Sequence, residues 1–188
     1  NKPINQNVVK KFLKGVGANI DLNKKFLLVL FHPVTTEYGQ SFRQTENITS
    51  AIESLNMQTI WLWPNIDAGS DGISKSIRIC REKGKLKNVL FVKNLQVEVY
   101  NYLLKKASSL VGNSSSFIRE ASYFGTPTVL IGKRQEKREI SKNVIKCAFN
   151  KKEIIRKVKI QIKKRYKKNK LYGDGKSAKR ISKLLYNL

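Results

Sequence analysis

The sequence predicts an α/β fold, a Rossmann-like parallel sheet flanked by helices. Three observations point to it. Apolar runs of strand length alternate with stretches of helical spacing that are ten to fifteen residues long, the pattern of strands joined by crossover helices. The longest apolar run, Phe26 to Phe31, reads as a buried strand, as expected in a sheet covered on both faces. Four runs end in polar or special residues: His32-Pro33, Pro64-Asn65, Lys93-Asn94 and Gly112-Asn113. In open α/β sheets the ligand lies outside the carboxyl ends of the strands, so all four clusters fall at the predicted ligand edge.

Residues 1–23 read as a helical or irregular lead-in, with Val8, Val9, Phe12 and Leu13 apolar. Residues 24–188 read as one domain. The strand Phe26–Phe31 runs into His32-Pro33, and Phe42, Ile48, Ala51, Ile52 and Leu55 give residues 40–56 helical spacing. Thr59–Trp63 is a strand stopped by Pro64, Asp71–Lys83 a helix ended by Gly84, and Asn88–Val92 a third strand. A helix over Val97–Lys106, a short strand over Ser109–Val111, a helix over Ser116–Tyr123 and a strand over Pro127–Ile131 follow. Val144–Phe149 reads as a last short strand, and one long basic helix or two complete the chain.

At 188 residues the chain is long enough for a sizeable core, and 40% hydrophobic content is that of a globular protein. No apolar run approaches membrane-spanning length, and no secretory signal is visible at the start. Asn1 rather than Met at the first position suggests a piece or a processed form of a longer protein. The only cysteines, Cys80 and Cys147, lack CxxC spacing, and His32 is the single histidine. That argues against a zinc site and suits a reducing cytoplasm. The net charge is +25, and residues 151–170 hold eleven Lys or Arg against one Glu. Such a field attracts polyanions. Equally, Ile154, Ile155, Val158, Ile160 and Ile162 fit a core-facing stripe between solvated lysines. Among the basic residues Tyr166 is the only aromatic, a poor platform for single strands.

Residues 112–139, GNSSSFIREASYFGTPTVLIGKRQEKRE, are the most informative stretch. A strand ending at Val111 gives way to a Gly/Ser turn that exposes N–H groups and hydroxyls. A helix starting near Ser116 would aim its N-terminus at that turn, a favourable place for phosphate. Glu120, one turn into that helix, would reach a ribose hydroxyl. The same serines also serve as an ordinary helix cap, with Glu120 in a loose capping arrangement. His32, followed by Thr35, Thr36 and Glu37, can donate to a phosphate or shuttle a proton, or simply cap its strand. Asn65 and Asp67 offer an amide and a carboxylate beside Gly69, or an Asx-turn before the next helix. Arg134 can bind a diphosphate in bidentate fashion, or belong to a solvated basic loop.

Taken in order, HPVTTE, PNIDAGS, GNSSSFIREASYFGTP, GKRQ-x-x-RE and YGDG resemble the UDP-N-acetylglucosamine 2-epimerases, most closely the hydrolysing branch that feeds sialic and related nonulosonic acids. The resemblance covers roughly residues 24–188. It implies the C-terminal half of a two-domain, glycosyltransferase-B-like (GT-B-like) enzyme, the half that holds the nucleotide. It implies a UDP-sugar substrate, with UDP eliminated to a 2-acetamidoglycal that is then hydrated, and no metal or redox cofactor. By resemblance, His32 meets the diphosphate and the reacting end of the sugar, with Asn65 near it. The backbone at Leu95 reads the uracil edge, and Ser114 and Ser115 hold phosphate. Glu120 binds the ribose hydroxyls, and Arg134 lies against the nucleotide or its leaving phosphate. The family's acidic residues for C2 deprotonation lie in the other half, so this stretch is expected to bind UDP without epimerising. The full-length protein is expected to form a homo-oligomer, with no obligate nucleic-acid partner. A polyanion-binding module and the nucleotide half of a GT-B glycosyltransferase are the competing expectations.

Overall fold

The computed structural model describes residues 4–186. Seven strands form one sheet: β1 (Val16–Gly17), β2 (Leu27–Leu30), β3 (Thr59–Leu62), β4 (Val89–Val92), β5 (Ser109–Gly112), β6 (Thr128–Ile131) and β7 (Val144–Cys147). Their spatial order is β1-β4-β3-β2-β5-β6-β7. The six strands from β4 to β7 are mutually parallel. This is the doubly wound order, which reverses direction between β2 and β5 and opens a crevice there.

Among the described residues seven α-helices accompany the strands: α1 (Gln6–Phe12), α2 (Ser41–Leu55), α3 (Ser70–Glu82), α4 (Val97–Lys106), α5 (Glu120–Phe124), α6 (Lys151–Gln161) and α7 (Ser177–Tyr186). Strand residues alternate between two cores. Leu27, Val29 and Phe31 pack with Ile48 and Ile52 of α2, Ile73 and Ile77 of α3, and Ile154 and Val158 of α6. Phe26 and Leu28 pack on the other face with Val9 of α1, Val99 and Leu103 of α4, and Phe117 and Ala121. Burial on both faces explains why the strands read as unbroken apolar runs.

Three features differ from the sequence expectation: the edge of the sheet, the helix after the Gly/Ser turn and the outer side of the basic stripe. The sheet is not wholly parallel, since β1 joins β4 antiparallel at the edge. That strand is only two residues long, too short for a periodic signal. Residues of the lead-in pack onto the sheet, with Val9 and Leu22 buried. The helix expected from Ser116 is instead a 3-10 turn over Ser115–Phe117, followed by α5 only from Glu120. The serines account for this. The Ser114 side chain accepts from the Ser116 amide, and the turn closes with i to i+3 bonds from Phe117 and Ile118. Serine hydroxyls compete in this way with helical backbone bonds. The basic tail takes the second of its two expected forms, a pair of helices. α6 stops where Gln161 is buried and its amide donates to the Thr128 and Asn143 carbonyls. In the proposed stripe Ile154 and Val158 are buried and Ile155 and Ile162 pack at the margin, but Ile160 is exposed.

Candidate functional site

The site forms where β2 and β5 part. Leu30 and Gly112 are the last paired residues of those strands. Gly112 has φ 147, and any Cβ there would collide with the Leu30 carbonyl. A side chain would therefore wedge the crevice open, which explains the glycine. One residue on, the buried Asn113 side chain reaches across. Its Oδ1 accepts from the His32 amide at 2.8 Å, and its Nδ2 donates to the His32 carbonyl at 2.8 Å. The Asn113 carbonyl accepts from Arg134 Nη1 at 3.3 Å and from Gln135 Nε2 at 3.1 Å.

His32 is 7% exposed, and its Nδ1 has no hydrogen-bond partner among the described residues. Asp67 Oδ2 lies 3.9 Å from it. Burial, then the Arg134 guanidinium, hold the imidazole below its ordinary pKa, against the opposing pull of Asp67. His32 is thus neutral at neutral pH, with one ring N–H to donate. Ser114 Oγ lies 3.1 Å from Ser116 Oγ, which also contacts the Tyr100 hydroxyl. Burial, and to a lesser degree the charge of Glu120, push the Tyr100 phenol up to about 12, so it stays protonated.

These groups surround a cleft of about 400 Å³. Leu30, Leu62, Trp63, Leu95 and Val97 make its apolar wall, while His32, Asn65, Lys93, Ser114, Ser115 and Arg134 supply the polar groups. An apolar wall with a few convergent polar groups is the usual form of a small-molecule site. Arg134 also lines a second hollow of about 610 Å³ between the Pro33–Glu37 turn, Asp67 and the Lys133–Arg138 loop. A larger depression of about 810 Å³ between α2 and α6 includes neither His32 nor the serines.

Of the expected site residues, His32, Asn65, Leu95, Ser114, Ser115 and Arg134 meet in this one cleft. Glu120 does not line it. It opens α5 and faces an adjacent hollow of about 260 Å³ with Tyr123, Tyr172 and Asp174. At five residues α5 is too short to supply the dipole expected of it. The positive charge at the cleft comes from Lys93 and Arg134 instead, beside the serine hydroxyls. Asn113, Gln135, Lys93 and Tyr100 had been assigned no role of their own. Two of them carried a usable signal: Lys93 and Asn113 immediately follow the last residues of β4 and β5.

The sequence profile of the family described as UDP-N-acetylglucosamine 2-epimerase matches residues 3–186. The chain belongs to the UDP-N-acetylglucosamine 2-epimerase family. Among similar proteins, the hydrolysing UDP-N,N'-diacetylbacillosamine 2-epimerase of Legionella pneumophila is 33% identical over 166 residues, which are 88% of this chain and 43% of that protein. The UDP-N-acetylglucosamine 2-epimerase of Neisseria meningitidis is 32% identical over 125 residues, covering 66% of this chain and 32% of that protein. The fold matches the crystal structure of the Methanocaldococcus jannaschii UDP-GlcNAc 2-epimerase in complex with UDP-GlcNAc and UDP. The TM-score is 0.70 at 20% identity, over 98% of this chain and 49% of that one. This epimerase-family chain therefore spans about a third to a half of the length of the proteins it matches, and its fold is that of one half of a GT-B-like enzyme.

Proposed function

We propose that this chain is the nucleotide-holding half of a hydrolysing UDP-sugar 2-epimerase. One observation carries the reading. His32, Ser114, Ser115 and Arg134, from three separate strand ends, converge on a single cleft at the reversal point of the sheet. The similarity to a relative named as hydrolysing supports the hydrolytic branch.

In the reaction so proposed, the C2 proton is removed and the C1–O bond to UDP breaks, leaving a 2-acetamidoglycal and UDP. Water then places a hydroxyl on C1 and a proton on the opposite face of C2, giving a free N-acetylmannosamine-type sugar. As the C1–O bond breaks, negative charge grows on the departing diphosphate. Arg134 supplies a fixed positive charge there, and His32 and the Ser114 and Ser115 hydroxyls supply donors already in place. Such preorganised donors favour the transition state over the ground state. Asn65 stands beside His32 toward the sugar, and the Leu95 backbone meets the uracil edge. Glu120 binds the ribose from the hollow that it lines with Tyr123, Tyr172 and Asp174. The base that takes the C2 proton comes from the other half of the enzyme. The whole protein works in the cytoplasm, where nucleotide sugars are made, and as a homo-oligomer.

Calorimetric titration with UDP at moderate salt tests the reading. Saturable binding near one UDP per chain, with a preference for uridine, is expected. Absence of binding, or binding that prefers long nucleic-acid strands and collapses with salt, would replace it with a polyanion module built on residues 151–170. The same chain is expected to release no UDP from UDP-N-acetylglucosamine. Release above background would show that it carries its own C2 base.

A further inference from the structure

We propose that Asn113 is the positioning residue of this site, a side-chain clamp across the β2–β5 crevice that fixes His32 and Arg134 relative to each other. The backbone ladder between the two strands ends at Leu30 and Gly112, with a last bond of 3.2 Å from the Asn113 amide to the Leu30 carbonyl. Beyond that point no backbone group of one strand reaches the other. The Asn113 amide takes over the pairing by satisfying both backbone polar groups of His32, one with its oxygen and one with its nitrogen. That pair of bonds needs a donor atom and an acceptor atom side by side; a carboxamide has both, a carboxylate has no donor, and a hydroxyl must donate and accept through one shorter-reaching atom. The main chain of the same residue then holds Arg134 and Gln135 through its carbonyl. A single fully buried residue is thus bonded to both groups that meet the diphosphate.

The clamp also explains why the imidazole needs no side-chain anchor. Nδ1 of His32 is free of hydrogen bonds among the described residues. The charged groups facing it are Arg134 from the β6–β7 loop and Asp67 from the β3–α3 loop, the latter at 3.9 Å. His32 is held by its backbone, which leaves its ring nitrogens for a ligand. Without the clamp, the His32 turn can lift toward solvent, and the imidazole then protonates more readily.

His32 is the chain's single histidine, so its ring signals in an NMR pH titration are unambiguous. Asn113→Ala is compared with Asn143→Ala, which removes an equally buried asparagine at the opposite edge of the sheet. The Asn113 variant is expected to move the His32 midpoint up toward its ordinary value, and the Asn143 variant to leave it in place. An unmoved midpoint in Asn113→Ala, or an equal shift in both variants, would overturn the proposal. If Asn113→Ala does not fold, Asn113→Ser is read in the same way, with the same upward shift expected. A second arm rests on the nucleotide reading above. UDP affinity is expected to fall roughly tenfold in Asn113→Ala, the scale of one well-placed hydrogen bond to a charged group. A wild-type chain that takes no UDP would sink the nucleotide reading, while the titration still decides the clamp.

Discussion

Two buried asparagines, one at each edge of the sheet, do opposite work. Asn143 sits at the amino edge, ahead of β7. Its Nδ2 donates to the Thr126 carbonyl at 2.7 Å, and its own carbonyl accepts from Gln161 and from the Thr128 amide. These bonds lock the entry of β6, the entry of β7 and the end of α6 into one block; Asn143 Oδ1 and Thr126 Oγ1 stay buried without partners among the described residues, but neither residue lines the cleft or the hollow beside it. Asn113 at the carboxyl edge makes more bonds, five against three, and to groups that keep free atoms. His32 retains its ring nitrogens, Arg134 the rest of its guanidinium, and Gln135 a buried Oε1 without a partner among the described residues. Burying an amide is equally demanding at both edges. The difference lies in what the partners still have to offer a ligand.

The largest expected effect breaks the carboxyl edge altogether. Gly112→Val places a branched side chain against the Leu30 carbonyl at a positive φ. It is expected to destabilise the chain by at least about 4 kcal/mol, read as a lowered urea midpoint. A near-wild-type midpoint would mean that the crevice between β2 and β5 is wider than described.

Next comes Arg134→Ala, which removes function without the scaffold. Arg134 makes one long bond to a backbone carbonyl, so the thermal midpoint should hardly move. UDP affinity should fall by roughly ten- to a hundredfold, the range for bonds to charged groups, measured by calorimetry. Arg134→Lys should recover only part of it, because a point charge replaces a bidentate fork. Asn143→Ala is expected to show the reverse, a loss of about 1–3 kcal/mol in stability with UDP affinity unchanged. If both variants lowered affinity alike, the two edges would not be separable.

The contrast also explains what the sequence disclosed. Strand ends were legible because an apolar run stopping at His32, Asn65, Lys93 or Asn113 changes character within one residue. Every strand buried on both faces announced itself, while β1 did not, since two residues carry no period. The break at Ile118 and Arg119 was hidden by helix-compatible spacing, and it came from serine hydroxyls whose partners are local but whose effect is cumulative. Asn113 lay in full view inside the Gly-Asn-Ser run, yet its partner His32 is distant in sequence and joins it only through the strand order. Glu120 could be placed near the serines by sequence, but its place in a separate hollow with Tyr123, Tyr172 and Asp174 depends on how the tail folds back.

The smallest expected effect tests the same contrast through pH. The folded chain holds His32 below its ordinary value of 6.5, chiefly by burial. Between the folded midpoint and that value the unfolded chain binds more protons, so unfolding free energy rises with pH across the window. Stability from this group is therefore complete above the ordinary value, declines as the pH falls through the window, and levels off below the folded midpoint. The other clearly shifted acids, Asp21, Glu153 and Asp174, all titrate below their already low ordinary values and so stay outside this window. Urea unfolding followed between about pH 8 and pH 5 should show a shallow loss toward acid that His32→Asn abolishes. Asn143→Ala should lower the whole curve without changing that slope, because nothing it touches titrates there. Asn113→Ala should lower the curve and flatten it, because a histidine released toward solvent no longer distinguishes the folded chain from the unfolded one.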